Sequence, residues 1–450
     1  MAPLSATTPL TVGPGPPLAG RVLPPGDKSI THRAYVLALL AEGDTVVRGP
    51  NPGEDCRATL RCVESLGARA QAGADTVRVS GTGGRLRQPD RLLDCGNSGT
   101  SLRLLAGVLA AQPFESTLTG DASLCRRPVG RVIEPLRRMG ATLRAEDGDR
   151  HPPLVVRGGP LRGLTLTEPT SSAQVASAIL LAGLQARGST TVLTSQGVRD
   201  HIAGLLEGFG VPVEVLRTGG EPMRVSVEGP ARLRGCSLSV PGDFSAAAFF
   251  FAAAAACPGA RVTVAGVGLN RSRIELLGRL AGMGAGVEVV PAGARGAEPV
   301  GDVTVTGARE LRPDDVPPGN VIGLLDEIPA WAIAASAARG VSRVRGAAEL
   351  RVKESDRLQA LAGGLRGLGV QVEETPDGLD IHGGSVGGGT VHSRGDHRIA
   401  MAFALLGTRA AGPVTVDDAT CIATSYPGFV DDLRSLGGRV RGDAPAGAES

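Results

Sequence analysis

Six long apolar blocks divide the chain, and each follows a short segment that is polar or contains glycine. The blocks carry few charges after their first turn, which predicts helices that are buried nearly all round. Asp, Ser, Asn and Thr in the preceding segments are typical helix N-caps. The segments with their blocks occupy residues 26–41, 96–110, 170–184, 242–254, 325–337 and 395–407.

A second pattern, also repeated six times, places a glycine after an apolar residue and before alternating β-type residues. A glycine just past a helix end supplies the left-handed residue that stops the helix, and the alternation predicts half-buried strands. These glycines are Gly67, Gly140, Gly210, Gly284, Gly369 and Gly437. Together the two patterns predict six repeats of helix, strands, helix and strands, in which the strands cover buried helices.

Two similar segments, LPPGDKS at 23–29 and SVPGDFS at 239–245, divide the repeats into two sets of three. Each combines Pro, Gly and Asp before a helix, as expected where the chain crosses between domains. We therefore predict an α/β (α+β) protein with two lobes. One lobe would contain residues 1–24 and 240–450, and the other would contain residues 25–239.

Composition narrows the classes of function. The net charge is +2 and aromatic residues make up 2%, which does not favour nucleic-acid binding. The seven cysteines show no metal-ligand spacing, and the longest apolar run, Ala246–Cys257, is too short to span a bilayer. We expect a cytoplasmic monomer without metal or organic cofactor, whose ends (roughly 1–18 and 443–450) are disordered.

Only two lysines, Lys28 and Lys353, occur among the 47 Lys and Arg residues. They lie in the polar segments PGDKSITHR (25–33) and ELRVKESDR (349–357). Arginine cannot replace lysine where a compact ammonium must fit as a point charge or exchange a proton. The pattern therefore favours a chemical role for both lysines over survival by chance.

Cations are also concentrated at the predicted helix starts, where Lys28, Arg33, Arg103 and Arg398 lie among hydroxyl and amide side chains. A helix N-terminus attracts anions and disfavours cations. Capping explains single Ser, Thr or Asn residues at these places, but it does not explain the excess of positive charge. We therefore predict a cleft that binds phosphate or carboxylate groups.

Several motif residues also have a purely structural interpretation. Arg127 in the CRRP turn lies either on the surface or against a ligand, and Cys125 beside it is interpreted as a spectator. Glu327 is interpreted as an acidic cap that suits the helix dipole. The glycine-rich segment 96–103 would let a ligand approach the backbone but is not a P-loop. The segment 349–357 is either a solvated, salt-bridged face or part of a site.

The candidates for acid–base chemistry are Asp326, Glu354, Lys28 and His397, accompanied by at least four arginines. The sequence has no Cys/His metal cluster, no Rossmann glycine motif in a strand–helix setting and no serine nucleophile elbow. Acid–base residues acting on anionic substrates indicate group transfer or addition–elimination.

These motifs resemble those of the 5-enolpyruvylshikimate-3-phosphate synthase family. They follow the family order from about residue 22 to 440: PGDKSITHR, LDCGNSGTSLR, GDASLCRRPVGR, SSAQVASAILLAGL, VPGDFSAAAFF, DEIPAWA, ELRVKESDR and DHRIAM. The resemblance implies a two-lobed inside-out barrel, each lobe having three βαβαββ units around buried parallel helices, with the active site in the cleft between lobes. It also implies transfer of the enolpyruvyl group of phosphoenolpyruvate to the 5-hydroxyl of shikimate 3-phosphate through a tetrahedral intermediate.

The resemblance further implies roles for single residues. Asp326 would take the proton from the 5-hydroxyl, while Glu354, with Lys28 and His397, would move protons at C3 and at the leaving phosphate. The residues implied for shikimate 3-phosphate are Lys28, Ser29, Arg33, Ser172, Ala173, Gln174, Arg199, Asp326 and Lys353. The residues implied for phosphoenolpyruvate are Lys28, Asn97, Gly99, Arg127, Gln174, Arg357 and Arg398.

Two positions depart from the family pattern. Thr424 lies where many members have a lysine soon after the equivalent of Cys421, and Ala173 replaces the second Ser of a Ser-Ser-Gln element. Gly99 leaves the phosphoenolpyruvate pocket uncrowded, which predicts inhibition by glyphosate. Two alternatives stay open: a UDP-N-acetylglucosamine enolpyruvyl transferase, whose first motif carries Lys-Asn instead of Asp-Lys-Ser, and a non-catalytic anion-binding protein on the same scaffold.

Overall fold

The computed structural model describes residues 7–168, 171–219 and 221–441, which form two compact units. The central unit comprises Gly26–Pro241 together with Ala294–Glu298. The terminal unit comprises the chain up to Pro25, Gly242–Gly293 and the chain from Pro299 onward. No sequence feature predicted that Ala294–Glu298 would group with the central unit.

Six buried helices lie inside the two units and correspond to the six apolar blocks, as predicted. They are α1 (Lys28–Leu40), α3 (Gly99–Leu109), α5 (Ala173–Gly183), α7 (Phe244–Ala255), α9 (Ile328–Ala337) and α11 (His397–Leu406). Every residue of α7 is buried, because its Ala and Phe side chains leave no polar face to turn towards water. The N-cap side chain accepts a backbone hydrogen bond in all of these helices except α9.

Six further helices alternate with these along the chain: α2 (Glu54–Ser65), α4 (Gly130–Met139), α6 (His201–Gly208), α8 (Glu275–Met283), α10 (Arg357–Gly367) and α12 (Phe429–Ser435). Each ends just before one of the six repeated glycines. Those glycines all have positive φ, between 79° and 121°, which confirms their predicted role in stopping the helices. Shorter helical segments are Leu124–Arg126, Glu146–Asp149, Ile322–Glu327, Ala348–Val352 and Thr420–Thr424.

Among the described residues, six four-stranded sheets cover the helices, three in each unit, and each contains one parallel pair of strands. In order across each sheet, the central unit contains Ser237–Ser239, Asp44–Arg48, Thr76–Ser80 and Arg69–Ala72; Leu93–Asp94, Glu115–Thr119, His151–Arg157 and Thr142–Ala145; and Thr165–Thr167, Gly188–Thr194, Met223–Gly229 and Glu214–Leu216. The terminal unit contains Ala19–Val22, Arg261–Gly268, Glu298–Thr306 and Gly286–Arg295; Asp315–Val316, Val341–Val344, Gly378–His382 and Val372–Thr375; and Gly389–Val391, Val414–Val416, Leu10–Gly13 and Arg439–Arg441. The predicted α/β class is confirmed, and none of these six sheets closes into a barrel.

The N-terminal segment belongs to this architecture, so the prediction that residues 1–18 are disordered is wrong for the described part of it. Leu10–Gly13 pairs antiparallel with Val414–Val416 on one side and with Arg439–Arg441 on the other. Its pattern of four residues is too short to reveal a strand whose partners lie some 400 residues away. The predicted disorder of 443–450 lies outside the described residues. Within the described ranges, no helix has the length and apolar character needed to cross a membrane.

Candidate active site

Lys28 begins α1 and forms an ion pair with Asp55 in the first turn of α2. Lys28 Nζ lies 2.9 Å from Asp55 Oδ2, and their side chains are only 14% and 7% exposed. The helix start is fixed by Asp27, whose Oδ1 accepts a hydrogen bond from the Ile30 backbone at 2.9 Å. Asp55 was missed in the sequence, although an acidic residue in a helix's first turn can be expected on dipole grounds. The pairing holds the ammonium group near a helix N-terminus, where positive charge is otherwise disfavoured.

Arginine and amide side chains are joined at the start of α3. Arg103 Nη1 donates to the backbone oxygen of Gly99 at 3.1 Å and to Gln174 Oε1 at 2.7 Å. Arg127 Nη2 donates to Asn97 Oδ1 at 2.5 Å. Four residues inferred from the resemblance, Asn97, Gly99, Arg127 and Gln174, thus lie together around the same turn. Arg103, which the sequence showed only as one cation among several, is the link between Gly99 and Gln174.

Arg33 joins the start of α1 to the start of α5. Its guanidinium donates to the backbone oxygens of Ser29 at 2.9 Å and Ala173 at 3.1 Å, and also to the Ser177 hydroxyl. Arg33 is only 3% exposed. It therefore holds two predicted substrate-binding turns together, whatever contact it makes with a ligand.

Ser172 is the N-cap of α5, and its hydroxyl accepts a hydrogen bond from the Val175 backbone at 3.4 Å. Its own backbone N–H donates to Glu168 Oε2 at 2.7 Å. Arg199 is half-buried and lies just before α6, so its membership of this site stays a prediction. Glu168, like Asp55, is a carboxylate that no motif in the sequence singled out.

In the terminal unit, Arg357 is buried among three carboxylates. Its Nε lies 2.8 Å from Asp396 Oδ2, its Nη2 lies 2.6 Å from Glu354 Oε2, and its Nη1 lies 3.5 Å from Asp326 Oδ1. Burial disfavours the charge of Arg357, but Asp396 and Glu354 outweigh that effect and raise the pKa of the guanidinium above its ordinary value. The sequence predicted Arg357 as an anion binder; in the structure it also fixes both predicted catalytic carboxylates.

The other predicted residues of this unit lie around the same group. Arg398 donates to the backbone oxygen of Asp326, and its Nη2 lies 3.8 Å from Asp326 Oδ2. Lys353 Nζ lies 3.5 Å from Glu349 Oε1. Burial lowers the pKa of the Lys353 ammonium, although Asp326 and Glu349 act in the opposite direction. His397 is buried as the first residue of α11.

Glu327 does not act as the cap that the sequence suggested. It stands at the N-cap position of α9, but its side chain makes no capping hydrogen bond. Instead, Glu327 Oε1 accepts a hydrogen bond from the Ser245 hydroxyl and lies 3.9 Å from Arg273 Nη2. All three side chains are buried, and the interior location of Arg273 could not be foreseen from local sequence.

Two further positions bear on the resemblance. Thr424 donates its hydroxyl proton to the backbone oxygen of Cys421 at 2.8 Å, within the helical segment Thr420–Thr424. Cys125 Sγ lies 3.5 Å from the backbone oxygen of Gly120, a contact that suits its interpretation as a spectator.

The group in the central unit offers guanidinium, ammonium and amide donors for anions, and the group in the terminal unit offers carboxylates for proton transfer beside guanidinium groups. A fold of this kind occurs in an enolpyruvyl transferase, NikO of Streptomyces tendae, with a TM-score of 0.76 and 20% identity over 97% of this chain and 99% of that one. The model of the EPSP synthase (3-phosphoshikimate 1-carboxyvinyltransferase) family matches residues 12–433, and the chain belongs to this family. The family predicted from the motifs is therefore confirmed.

Relatives in this family cover nearly the whole chain. The 3-phosphoshikimate 1-carboxyvinyltransferase of Xanthomonas axonopodis pv. citri (strain 306) is 49% identical over 418 residues, which are 92% of this chain and 93% of that protein. A solved structure of EPSP synthase from Acinetobacter baumannii has a TM-score of 0.84 and 40% identity, covering 97% of this chain and all of that one.

Proposed function

We propose that the chain transfers the enolpyruvyl group of phosphoenolpyruvate to the 5-hydroxyl of shikimate 3-phosphate and releases phosphate. The step belongs to the shikimate pathway, which supplies aromatic amino acids. Membership of the EPSP synthase family supports this activity. The observation that carries it furthest is the group at the start of α3, where two arginines and two amide side chains are joined through Arg103–Gln174 and Arg127–Asn97. Such donors suit bidentate capture of phosphate and carboxylate groups.

The reaction proceeds by addition and elimination. In the addition, the 5-hydroxyl oxygen bonds to C2 of phosphoenolpyruvate, C3 gains a proton, and Asp326 accepts the hydroxyl proton. In the elimination, C3 loses a proton, the bond from C2 to the phosphate oxygen breaks, and the enol ether remains. Glu354, with Lys28 and His397, moves the protons at C3 and at the departing phosphate. Arg357 keeps the Glu354 carboxylate in place at 2.6 Å.

Residues of both units take part in this proposal. In the central unit, Lys28, Arg33 and Gln174 bind the substrate anions, while in the terminal unit Arg357 and Arg398 do so. The remaining binding residues inferred from the sequence keep their assignments. Preorganised cations stabilise charge that develops in the transition state without the reorganisation that water would need.

Release of inorganic phosphate tests the proposal. Protein incubated with phosphoenolpyruvate and shikimate 3-phosphate should release phosphate, and replacing shikimate 3-phosphate with UDP-N-acetylglucosamine should abolish release. Asp326→Asn and Glu354→Gln should each lower kcat by about 10²- to 10⁴-fold, as expected for the loss of a general acid or base. Glu310→Gln, an exposed carboxylate paired with Arg339, is the matched control and should keep full activity. Phosphate release with UDP-N-acetylglucosamine would support a UDP-N-acetylglucosamine enolpyruvyl transferase. If no phosphate is released with either acceptor, a non-catalytic anion-binding protein would be supported.

We also propose that the chain works in the cytoplasm as a monomer on these two small molecules, without nucleic acid or membrane. Sedimentation of the purified protein at micromolar concentration should give a single species of about the chain mass of 45.6 kDa. A dimer mass would refute the proposed monomer without affecting the proposed reaction.

A further inference from the structure

Four buried polar side chains form a continuous chain of hydrogen bonds through the central unit. His32 Nδ1 on α1 lies 2.6 Å from Thr59 Oγ1 on α2, and Thr59 Oγ1 lies 2.5 Å from Ser101 Oγ on α3. Ser101 Oγ donates to Ser98 Oγ at 2.7 Å. None of the four residues is more than 1% exposed. The chain ends on the N-cap of α3, directly beside Asn97 and Gly99.

Capping of α3 does not explain this arrangement. Ser98 Oγ already accepts the hydrogen bond that an N-cap needs, from the Ser101 backbone at 3.1 Å. Extending the cap through Thr59 to His32 adds polar groups to a core where unpaired polar atoms are costly. Indeed, His32 Nε2 has no hydrogen-bond partner among the described residues. Apolar side chains of similar shape would pack there at lower cost, so a structural role alone accounts poorly for these residues.

The hydroxyl protons give the chain a direction. The Ser101 proton goes to Ser98, so Ser101 Oγ accepts the proton of Thr59. The competing acceptor for Thr59, the backbone oxygen of Asp55, lies much farther away, at 3.4 Å. Thr59 must then accept from His32, which places the imidazole proton on Nδ1 and leaves Nε2 unprotonated. Burial, followed by the nearby charges of Lys28 and Arg33, lowers the pKa of His32 and keeps the ring neutral.

We propose that His32 is a positioning residue for the phosphoenolpyruvate-binding turn at the start of α3, acting through Thr59 and Ser101 on Ser98. The proposal rests on the proposed function, because it names what that turn holds. By fixing the rotamer of Ser98, the chain fixes the backbone from which Asn97 meets Arg127 at 2.5 Å and Gly99 meets Arg103 at 3.1 Å. A small rotation of this turn would misplace both arginines relative to the anion.

Steady-state kinetics of variants along the chain test this proposal. Thr59→Val and His32→Leu should raise the KM for phosphoenolpyruvate about tenfold and change the KM for shikimate 3-phosphate less than twofold, in line with the loss of one buried hydrogen bond. His32→Asn can restore a donor at the Nδ1 position, so its KM should return to within about threefold of the wild-type value. The matched control is Thr45→Val, because Thr45 is also fully buried in the central unit and its hydroxyl has no hydrogen-bond partner among the described residues.

The outcomes separate positioning from mere stability. If Thr59→Val lowers thermal stability but leaves the KM for phosphoenolpyruvate unchanged, or raises both KM values equally, the proposal is overturned. The same holds if Thr45→Val reproduces the effect. Proton–nitrogen correlation spectra of protein carrying ¹⁵N-labelled histidine, assigned with His32→Asn, should show His32 protonated at Nδ1; protonation at Nε2 would overturn the proposal. If wild-type protein releases no phosphate, the proposed function is refuted. The spectrum needs no turnover, so the tautomer of His32 would still test the inference separately.

Discussion

Replacing Gly99 with alanine tests the contacts at the start of α3 with the smallest possible change. A Cβ atom at this position would lie 2.6 Å from Arg103 Nη1 and 3.6 Å from Arg127 Nη1. Ordinary contact needs about 3.5–4.0 Å, so Arg103 Nη1 must move by roughly 1 Å. Arg103 Nη1 donates hydrogen bonds to the Gly99 backbone oxygen and to Gln174 Oε1, and its movement weakens both.

The size of the effect follows from these contacts. A hydrogen bond to a charged group contributes about 1.5–3 kcal/mol, and Arg103 keeps its other bond to the Pro128 oxygen at 3.0 Å. We therefore expect Gly99→Ala to cost about 1.5–3 kcal/mol of phosphoenolpyruvate binding, which is a rise in KM of roughly 10- to 150-fold. Inhibition by glyphosate should weaken in parallel. The melting temperature should fall modestly, because the gain of about 0.4–1 kcal/mol of alanine over glycine in a helix offsets only part of the weakened hydrogen bonds.

Phosphate-release kinetics with each substrate varied in turn provide the assay. Gly278→Ala in α8 is the control, because a Cβ atom there meets nothing within 4 Å. In a double-mutant cycle, Gly99→Ala and Gln174→Ala should be clearly non-additive, since both act through Arg103. An unchanged KM for phosphoenolpyruvate in Gly99→Ala, or strictly additive effects in the cycle, would refute the reasoning.

Three further changes have defined outcomes. Lys28→Met should abolish turnover and lower the free energy of unfolding by about 3–5 kcal/mol, because it leaves the Asp55 carboxylate buried without its cation. Adding Asp55→Asn should restore stability but not activity. Thermal melting and phosphate release measure the two effects. Because burial lowers the pKa of His32, the unfolded state takes up a proton on this side chain at a higher pH than the folded state does. The contribution of His32 to folding stability is therefore full above about pH 6.5 and falls below that pH by up to about 1.4 kcal/mol per pH unit. His32→Asn should flatten this part of the curve of melting temperature against pH. Trp331→Phe should lower the free energy of unfolding by about 1–3 kcal/mol, because it removes the 2.9 Å hydrogen bond from Trp331 to Asp314. Urea unfolding followed by circular dichroism measures this change, and a value below about 0.5 kcal/mol would contradict the prediction.

The sequence was informative where the structure depends on local pattern. Apolar blocks with few charges identified the six inner helices, and the glycine after each outer helix was correctly placed in the left-handed region. The N-terminal strand Leu10–Gly13 was missed because its stability comes from partners at the other end of the chain. Similarly, Ala294–Glu298 joins the central unit through contacts such as His201 Nδ1 with Glu298 Oε1 at 2.5 Å, which no local periodicity encodes.

For the candidate site, motifs identified the charged residues but not how they pair. Lys28 and Arg357 were recognised as important, whereas Asp55 was overlooked and Asp396 was seen only as part of a motif. Those pairings join residues 27 and 39 positions apart, so they depend on helix packing rather than on spacing. Glu327 shows the reverse error: its position fitted a cap, but its carboxylate accepts a hydrogen bond from Ser245 and lies 3.9 Å from the buried guanidinium of Arg273.

The location of Leu10–Gly13 has a consequence for biosynthesis. This strand is synthesised about 430 residues before one of its neighbours, Arg439–Arg441, with which it pairs residue by residue. At about 5–20 residues per second, it must wait roughly 20–90 s with both edges unsatisfied. Gly26–Pro241, by contrast, is nearly complete as one stretch and can fold while translation continues. A nascent chain stalled far enough past residue 241 for that stretch to have left the ribosome should therefore resist protease across it and be cut around Leu10–Gly13.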